Sequence, residues 1–159
     1  MPADFEFKIE GVEELIENLD KTHEKIGPMV RDFFSKAGNT VERNAKQFAP
    51  VDTGRLRSSI TNRVGPGNTP EFTEIGPSDL PYAKAMEFGA KYPRKPPPVL
   101  ALVDWSFKHG LDPWAVRHNI KKYGLRPRDY MGKGYEDSMG DIDEATEKLL
   151  DQIVKELAQ

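Results

Sequence analysis

Apolar residues recur at steps of three and four over one long stretch in the first third of the chain. The positions are Met29, Val30, Phe33, Ala37, Val41, Ala45 and Phe48. This spacing places them on one face of an α-helix. We therefore predict a helix of about twenty residues, roughly 30 Å long. It should end before Pro50, because a proline cannot continue it.

Two shorter patterns precede this helix. Apolar and charged residues alternate from Phe5 to Ile9, which is typical of a half-buried strand. Helical spacing follows from Val12 to Leu19, with acidic residues early in the segment, where the helix dipole favours them. Proline suits a first helical position, so we expect the pair Gly27-Pro28 to end this segment and to start the long helix.

The middle of the chain alternates between short periodic segments and turn residues. Ile60–Val64 and Phe72–Ile75 predict two short strands, joined by a Pro- and Gly-rich loop that is too long for a tight hairpin. Ala83–Phe88 predicts a short helix closed by Gly89. The proline-rich stretch Tyr92–Pro98 predicts an extended, exposed and stiff connector.

Helical patterns return after this connector. Val99–His109 predicts one helix. Asp112 is a typical N-cap residue followed by proline, and it predicts a second helix that ends at Tyr123. Arg126–Met131 lies outside any periodic run and is expected to be extended. Asp141–Leu157 predicts a further helix with one apolar stripe.

Composition narrows the class of protein. The 159 residues are 37% hydrophobic and 31% charged, which is poor in apolar residues for a compact globular domain. We expect one domain, in an elongated or multi-lobed subunit that completes its burial against partners. No cysteine is present, which excludes a disulfide framework and a thiolate metal site. The first residues lack the features of a signal peptide and no apolar run matches a membrane span, so a soluble protein made in a cytoplasm is expected.

The net charge of −3 is unevenly distributed. From Pro50 to Tyr130, thirteen Lys and Arg residues stand against eight Asp and Glu residues, while the two flanks together carry ten against eighteen. The densest basic patch consists of Arg117, Lys121, Lys122, Arg126 and Arg128. A basic middle between acidic ends favours head-to-tail packing of copies or contact with an anion, although solvated surface is the commoner meaning of such asymmetry.

The most informative string is Ala49-Pro50-Val51-Asp52-Thr53-Gly54-Arg55-Leu56. Asp52 or Thr53 can accept a hydrogen bond from the next turn, and so cap a short segment that begins at Arg55. Gly54 permits a left-handed turn. We predict that Leu56 and Ile60 point into the core. Arg55 and Arg57 should point outward, toward solvent or a neighbouring subunit.

A second string closes the short helix in the middle of the chain, Tyr82-Ala83-Lys84-Ala85-Met86-Glu87-Phe88-Gly89. Ala83 is small enough for backbone elements to approach it. Phe88 is expected in the core, and Gly89 is expected to stop the helix. Glu87 is expected to pair with Arg55 or Arg57, within or between subunits. An exposed pair of this kind contributes at most about 1 kcal/mol, so it would fix register rather than stability.

Neither string supplies a reaction centre. A general base or an anion clamp would need a nucleophile or a substrate site, and the sequence shows neither. The histidines, His23, His109 and His118, form no HExxH or other close metal set. We expect no catalytic residue, no metal and no cofactor, with the histidines at the surface or in interfaces. Trp105 and Trp114 are expected to be core or interface anchors.

In this order, the two strings resemble the pattern APVDTGxLRxSI … YAxxxEFG of a family of small tailed-bacteriophage proteins. It is the tail-component family typified by the tenth gene product of a lambdoid Hong Kong phage, and it is related to the lambda-type minor tail protein Z. The resemblance covers residues 28–91. A partial match follows at Arg126–Met131, where Asp129 replaces the family's usual second proline.

The resemblance implies an α+β fold in one tail-component domain over residues 1–159. A long helix would pack on a small antiparallel β-sheet, with an inserted helical pair at 99–124 and a C-terminal helix. It implies a structural virion protein of the neck or tail end, with no enzyme activity and no cofactor. Such proteins act in tail completion or head–tail joining, usually as copies in a ring. The matching residues, with structural roles, are Pro50, Asp52, Thr53, Gly54, Leu56, Tyr82, Ala83, Glu87, Phe88 and Gly89.

Further expectations concern partners and location. The resemblance predicts contact with other phage neck and tail proteins, in a virion whose parts are made in a bacterial cytoplasm or encoded by a prophage. Neither a membrane nor a small-molecule substrate is expected.

Two other functions compete with this one. The basic patch over 117–128 could contact DNA without sequence specificity, because such a patch can neutralise phosphates. A small hydrolase that uses Asp52, Glu87 and a histidine is the weakest alternative, since no known spacing links these residues.

Overall fold

The computed structural model describes residues 12–67, 69–92 and 95–158, with the side chains of the first helix from residue 24 onward. The strand expected at Phe5–Ile9 lies outside the described residues. The helices are α1 (Val12–Phe48), α2 (Arg55–Ser59), α3 (Ala83–Phe88), α4 (Val103–Lys108), α5 (Pro113–Tyr123), α6 (Tyr130–Glu136) and α7 (Met139–Leu157). The strands are β1 (Ile60–Val64) and β2 (Thr73–Pro77). The predicted α+β class, with a long helix and a small antiparallel sheet, is confirmed.

Helix α1 is continuous over 37 residues, so the predicted break at Gly27-Pro28 is wrong. An interior proline forfeits one backbone hydrogen bond and crowds the preceding turn. Helix α7 runs antiparallel to α1 across this point. An ion pair joins Lys25 to Glu156 at 2.9 Å before the proline, and another joins Arg43 to Asp141 at 3.6 Å beyond it. Helix α1 thus continues through the proline, with α7 alongside it on both sides of this turn.

The two-stranded sheet packs on α1, and Asn62 fixes its position. Strands β1 and β2 are antiparallel, with Ile60 opposite Pro77. The backbone N–H of Asn62 donates to Glu42 Oε2 at 2.7 Å, and its Nδ2 donates to the Ser35 carbonyl at 3.3 Å. Both acceptors lie on α1. A Cβ on Gly38 would lie 2.3 Å from Asn62 Oδ1, so a larger residue there would displace this side chain.

Helix α6 crosses α1 in direct backbone contact at Gly134. A Cβ there would lie 2.4 Å from the Ala45 nitrogen. Beside this crossing, Asn44 Nδ2 donates to Ser138 Oγ at 2.9 Å, and Ser138 Oγ donates to the Gly134 carbonyl at 2.6 Å. Both polar side chains are buried, and these bonds satisfy them. The sequence predicted an extended Arg126–Met131, but the last two of those residues begin α6.

The hydrophobic core is small. Its central cluster of buried residues consists of Ala45, Ala49, Leu56, Ile60, Ala83 and Tyr130. Three of these are alanines. Such small side chains let the elements approach closely, but they remove little apolar surface from water when the chain folds. Helix α7 has no buried residue, although one of its faces is partly covered by α1.

Residues 91–124 form an excursion whose two ends meet. A 3-10 turn at Val99–Leu102 leads into α4 and then α5, and these three elements pack on one another. Asp112 caps α5 as predicted, with its Oδ2 accepting from Ala115 N at 2.8 Å. At the base, Ala90 and Leu125 exchange two backbone hydrogen bonds of 3.1 and 2.7 Å. A Cβ on Gly124 would lie 2.4 Å from the Ala90 carbonyl oxygen, so this pairing needs a glycine there.

The proline-rich connector is less exposed than predicted. Its described residues form no regular element, as expected, but Pro96 and Pro97 are partly buried. Arg117 Nε donates to the Pro97 carbonyl at 3.2 Å, which ties the connector to α5.

The Gly134 crossing generates the first prediction. We expect Gly134→Ala to lower the free energy of unfolding by about 1–3 kcal/mol, because the methyl group must push α6 away from α1. Gly140→Ala is the matched control: it is also helical, and a Cβ there meets nothing within 4 Å. That change should raise stability by up to about 1 kcal/mol through helix propensity. Urea unfolding of the two variants measures both effects, and equal midpoints would contradict the backbone contact.

Candidate assembly surface

The first string forms the turn between α1 and β1, but it works differently from the prediction. Gly54 itself is the N-cap of α2, with φ of 80°, and no side chain caps this helix. Asp52 and Thr53 are exposed, and Asp52 Oδ1 accepts instead from Lys108 Nζ at 2.9 Å. The predicted capping role of these two residues is therefore wrong, because a glycine in the left-handed conformation occupies the cap position.

The two sides of α2 face as predicted. Leu56 and Ile60 are buried in the central cluster, whereas Arg55 and Arg57 are exposed. Pro50 is partly buried at the end of α1. The string thus places Leu56 and Ile60 in the core shortly after the sharp turn at Gly54.

Glu87 in the second string holds the start of α6. Its carboxylate is buried and accepts from the backbone N–H groups of Met131 at 3.1 Å and Gly132 at 3.2 Å. These are orphan amides of a helix N-terminus, where a negative charge is favourable. Within the subunit, Glu87 does not pair with Arg55 or Arg57, because its carboxylate lies on the amides of α6. No local pattern predicts this contact, because its two sides lie more than forty residues apart and α6 has no apolar period.

Backbone bonds reinforce the same junction. The Met86 carbonyl accepts from Arg128 N at 2.9 Å, and the Glu87 carbonyl accepts from Asp129 N at 3.1 Å. Asp129 adopts a left-handed conformation with φ of 52°, which turns the chain into α6. We call this set of contacts from Met86 and Glu87 to residues 128–132 the α3–α6 clamp.

The other residues of the second string divide between core and surface. Ala83 is buried, and Gly89 ends α3 as predicted, with φ of 73°. Phe88 is 72% exposed, so its predicted core position is wrong. A helix as short as α3 buries one face, and Ala83 and Glu87 occupy that face at i and i+4. Tyr82 is also largely exposed.

Tyr130 lies under the clamp and is fully buried. Burial raises the pKa of its phenol to about 12, with smaller contributions from the negative charge of Glu87 and from Tyr82. The neutral phenol is therefore the form that the folded protein accommodates.

The acidic and histidine side chains that the structure describes were candidates for a metal or catalytic site. No group of three or more acidic or histidine side chains among them could hold a metal ion. His109 is exposed and stacks on Trp105 with ring centroids 4.3 Å apart, and His118 is exposed on α5. The side chain of His23 lies outside the described residues. Within the described ranges, no helix has the length and apolar character needed to cross a bilayer.

Large apolar side chains remain in solvent across the subunit. Those at least half exposed are Val51, Phe72, Phe88, Leu100, Phe107, Trp114, Tyr123, Tyr135, Leu150, Val154 and Leu157. Trp105 is 37% exposed, so neither tryptophan is a core residue. Where such residues lie next to one another, they are typical of surfaces that bind other proteins.

The basic patch predicted from the sequence divides between α5 and the loop behind it. Lys121 and Lys122 are exposed on the last turns of α5, and Arg126 and Arg128 are exposed in the loop. Arg117 is partly buried against the connector. The remaining cations are therefore available to a partner.

The described residues form a small α+β subunit with a small core and many exposed apolar side chains. Residues 13–89 match the family model described as "Bacteriophage HK97-gp10, putative tail-component". The predicted resemblance to this family is confirmed, and it supports a structural role in a phage tail. No curated protein and no solved structure matches the chain. The match ends at Gly89, so the excursion, α6 and α7 lie beyond it.

The α3–α6 clamp generates a second prediction. We expect Glu87→Ala to lower the free energy of unfolding by about 1–3 kcal/mol, because two amides of α6 lose a charged acceptor. Glu87→Gln keeps one acceptor oxygen and should lose less. The control is Asp52→Ala, which removes only an exposed ion pair and should cost at most about 1 kcal/mol. Chemical denaturation of the three variants measures the differences. Equal losses for Glu87→Ala and Asp52→Ala would refute the clamp.

Tyr130 generates a third prediction, on pH. Because its folded pKa of about 12 exceeds the unfolded value of 10.0, the folded state holds this proton longer. Its contribution to stability is complete below pH 10 and is lost as the pH rises toward 12. The slope is at most about 1.4 kcal/mol per pH unit for one proton.

Other groups titrate in the same range, so the informative quantity is a difference between proteins. Tyr130→Phe should fall less steeply in unfolding free energy between pH 10 and 12 than the parent. Tyr135→Phe, on the exposed side of α6, is the control and should follow the parent. Parallel curves for the parent and Tyr130→Phe would contradict the assignment.

Proposed function

We propose that this protein is a structural subunit of the phage neck or tail end, acting in tail completion or head–tail joining as copies in a ring. The observation that carries the proposal is the family match over residues 13–89 on a subunit that leaves so much apolar surface uncovered. The site of action would be the virion, with the protein made in the bacterial host.

The amount of exposed surface supports a role in assembly. Among the side chains that the structure describes, eleven large apolar ones are at least half exposed. Together with the small core, this surface supports the proposal that neighbouring subunits complete the burial.

The charge arrangement supports head-to-tail contact between copies. The basic middle and the acidic flanks place opposite charges on different parts of one subunit. Complementary fields of this kind set the register of an interface more than its affinity. Arg55 and Arg57 are exposed beside the first turn and are proposed as further interface residues.

The organisation of the chain supports one tail-component domain with residues 99–124 as an insertion. The family match ends just before Ala90, and the Ala90–Leu125 pairing closes the excursion at its base. The clamp then rejoins the chain to α1 through α6. The inserted helices would supply partner contacts rather than hold the subunit together.

A gene deletion in the phage or prophage that encodes this chain tests the function. We expect the deletion strain to fill heads with DNA but to form defective tails, or tails that do not join heads. Electron microscopy of lysates and plaque counts, with the gene restored from a plasmid as control, give the result. Normal infectious particles without the gene would overturn the proposal.

Binding to DNA is the competing outcome, favoured if the deletion is silent. In that case the purified protein should bind duplex DNA with useful affinity near physiological salt. Its affinity should also fall steeply as salt rises, because the basic patch would release counterions.

A further inference from the structure

The outer face of α5 is both aromatic and basic. Trp114, His118 and Lys121 follow one another at helical steps of four and three, and Lys122 lies next to them. Trp114 is 66% exposed, and the other three are exposed. The opposite side of α5 holds Pro113 and Ile120, which are buried. We call the four exposed residues the α5 face.

The outer face of α7 is apolar and acidic. Leu150 and Val154 are 56% and 63% exposed, one turn apart on the side that α1 does not cover. Glu147 and Asp151 are exposed beside them. We call these four residues the α7 face. Both faces thus combine large apolar groups with charge, but of opposite sign.

Charge complementarity extends along both segments. Residues 113–128 contain five Arg and Lys residues and no acidic residue, whereas α7 contains six acidic residues and two lysines. Three of the acids are already paired with Arg43, Lys148 and Lys25. Among the described side chains, none forms an ion pair with Glu147 or Asp151.

The two faces do not meet within one subunit. Helix α7 packs on α1, whereas α5 packs on the 3-10 turn and α4. Any contact between the α5 face and the α7 face must therefore join two copies. Because the faces differ, they can join copies head-to-tail, and head-to-tail contacts generate closed rings or open filaments.

We infer that the α5 face of one copy binds the α7 face of the next, and that this contact links the copies of the ring. The inference rests on the proposed function and adds the surfaces that would carry it. Trp114 would lie against Leu150 and Val154, while Lys121 and Lys122 would pair with Glu147 and Asp151. The inserted helices then act as the linking arm between subunits.

The absence of cysteine makes a crosslinking test clean. Two double variants are prepared in the full chain, His118→Cys with Leu150→Cys and His118→Cys with Val154→Cys. After mild oxidation of purified protein at high concentration, and of purified particles, we expect at least one to give a ladder of disulfide-linked oligomers. Each single variant should give no disulfide-linked dimer, because a head-to-tail contact never places a residue against itself. A control, Ser58→Cys with Val154→Cys, should also give none.

Charge reversal provides an independent test. Lys121→Glu with Lys122→Glu should weaken association by at least about tenfold, and Glu147→Lys with Asp151→Lys should do the same. Combining all four changes should restore association, since opposite charges again face each other. Thermal melts confirm that each variant folds.

The outcomes separate the inference from the proposed function. If the deletion strain has defective tails and the protein is present in particles, but neither double variant crosslinks, the inference is wrong and the function stands. If the deletion strain is normal, the function fails whatever the ladder shows. If only the Lys121 and Lys122 reversals have an effect, and the combined variant is not rescued, the α5 face binds something other than α7, such as nucleic acid, and the inference is overturned.

Discussion

The α3–α6 clamp is the contact on which the rest of the subunit depends. One buried carboxylate, Glu87, fixes the first amides of α6, and α6 then crosses α1 at a glycine with no room for a side chain. A charged acceptor is well suited to this task, because helix N-termini present unpaired N–H groups and a positive dipole end. Without the clamp, a seven-residue helix with two glycines would have little reason to form.

Local signals in the sequence predicted local structure well. Asp112 followed by proline marked the start of α5, and the apolar face from Met29 to Phe48 marked α1, because caps and periodicity act within a few residues. Long-range effects were missed. Helix α1 continues through Pro28 beside a helix from the other end of the chain, and Glu87 contacts α6, which lies more than forty residues further along. The predicted core position of Phe88 is wrong because the sequence around it indicates where α3 ends but not which of its faces is buried.

The family match and the exposed faces of α5 and α7 lie on different parts of the chain. The match covers α1, the sheet and α3, which form the frame of the fold. The apolar and charged faces of α5 and α7 lie outside it and remain in solvent. In this subunit the few large buried side chains fix the positions of the elements, and most of the other large apolar side chains are exposed. The frame fixes the positions of the α5 face and the α7 face.

The pairing of Ala90 with Leu125 has a consequence for how such a chain can change. Because the two ends of the excursion are within hydrogen-bonding distance, the backbone between them could be replaced by a tight turn without moving either flank. Lengthening it is also inexpensive, since each doubling of a loop adds only about 0.6 kcal/mol of closure entropy. A change in the length or sequence of this segment can therefore alter the surface that α4 and α5 present while the framework keeps its fold.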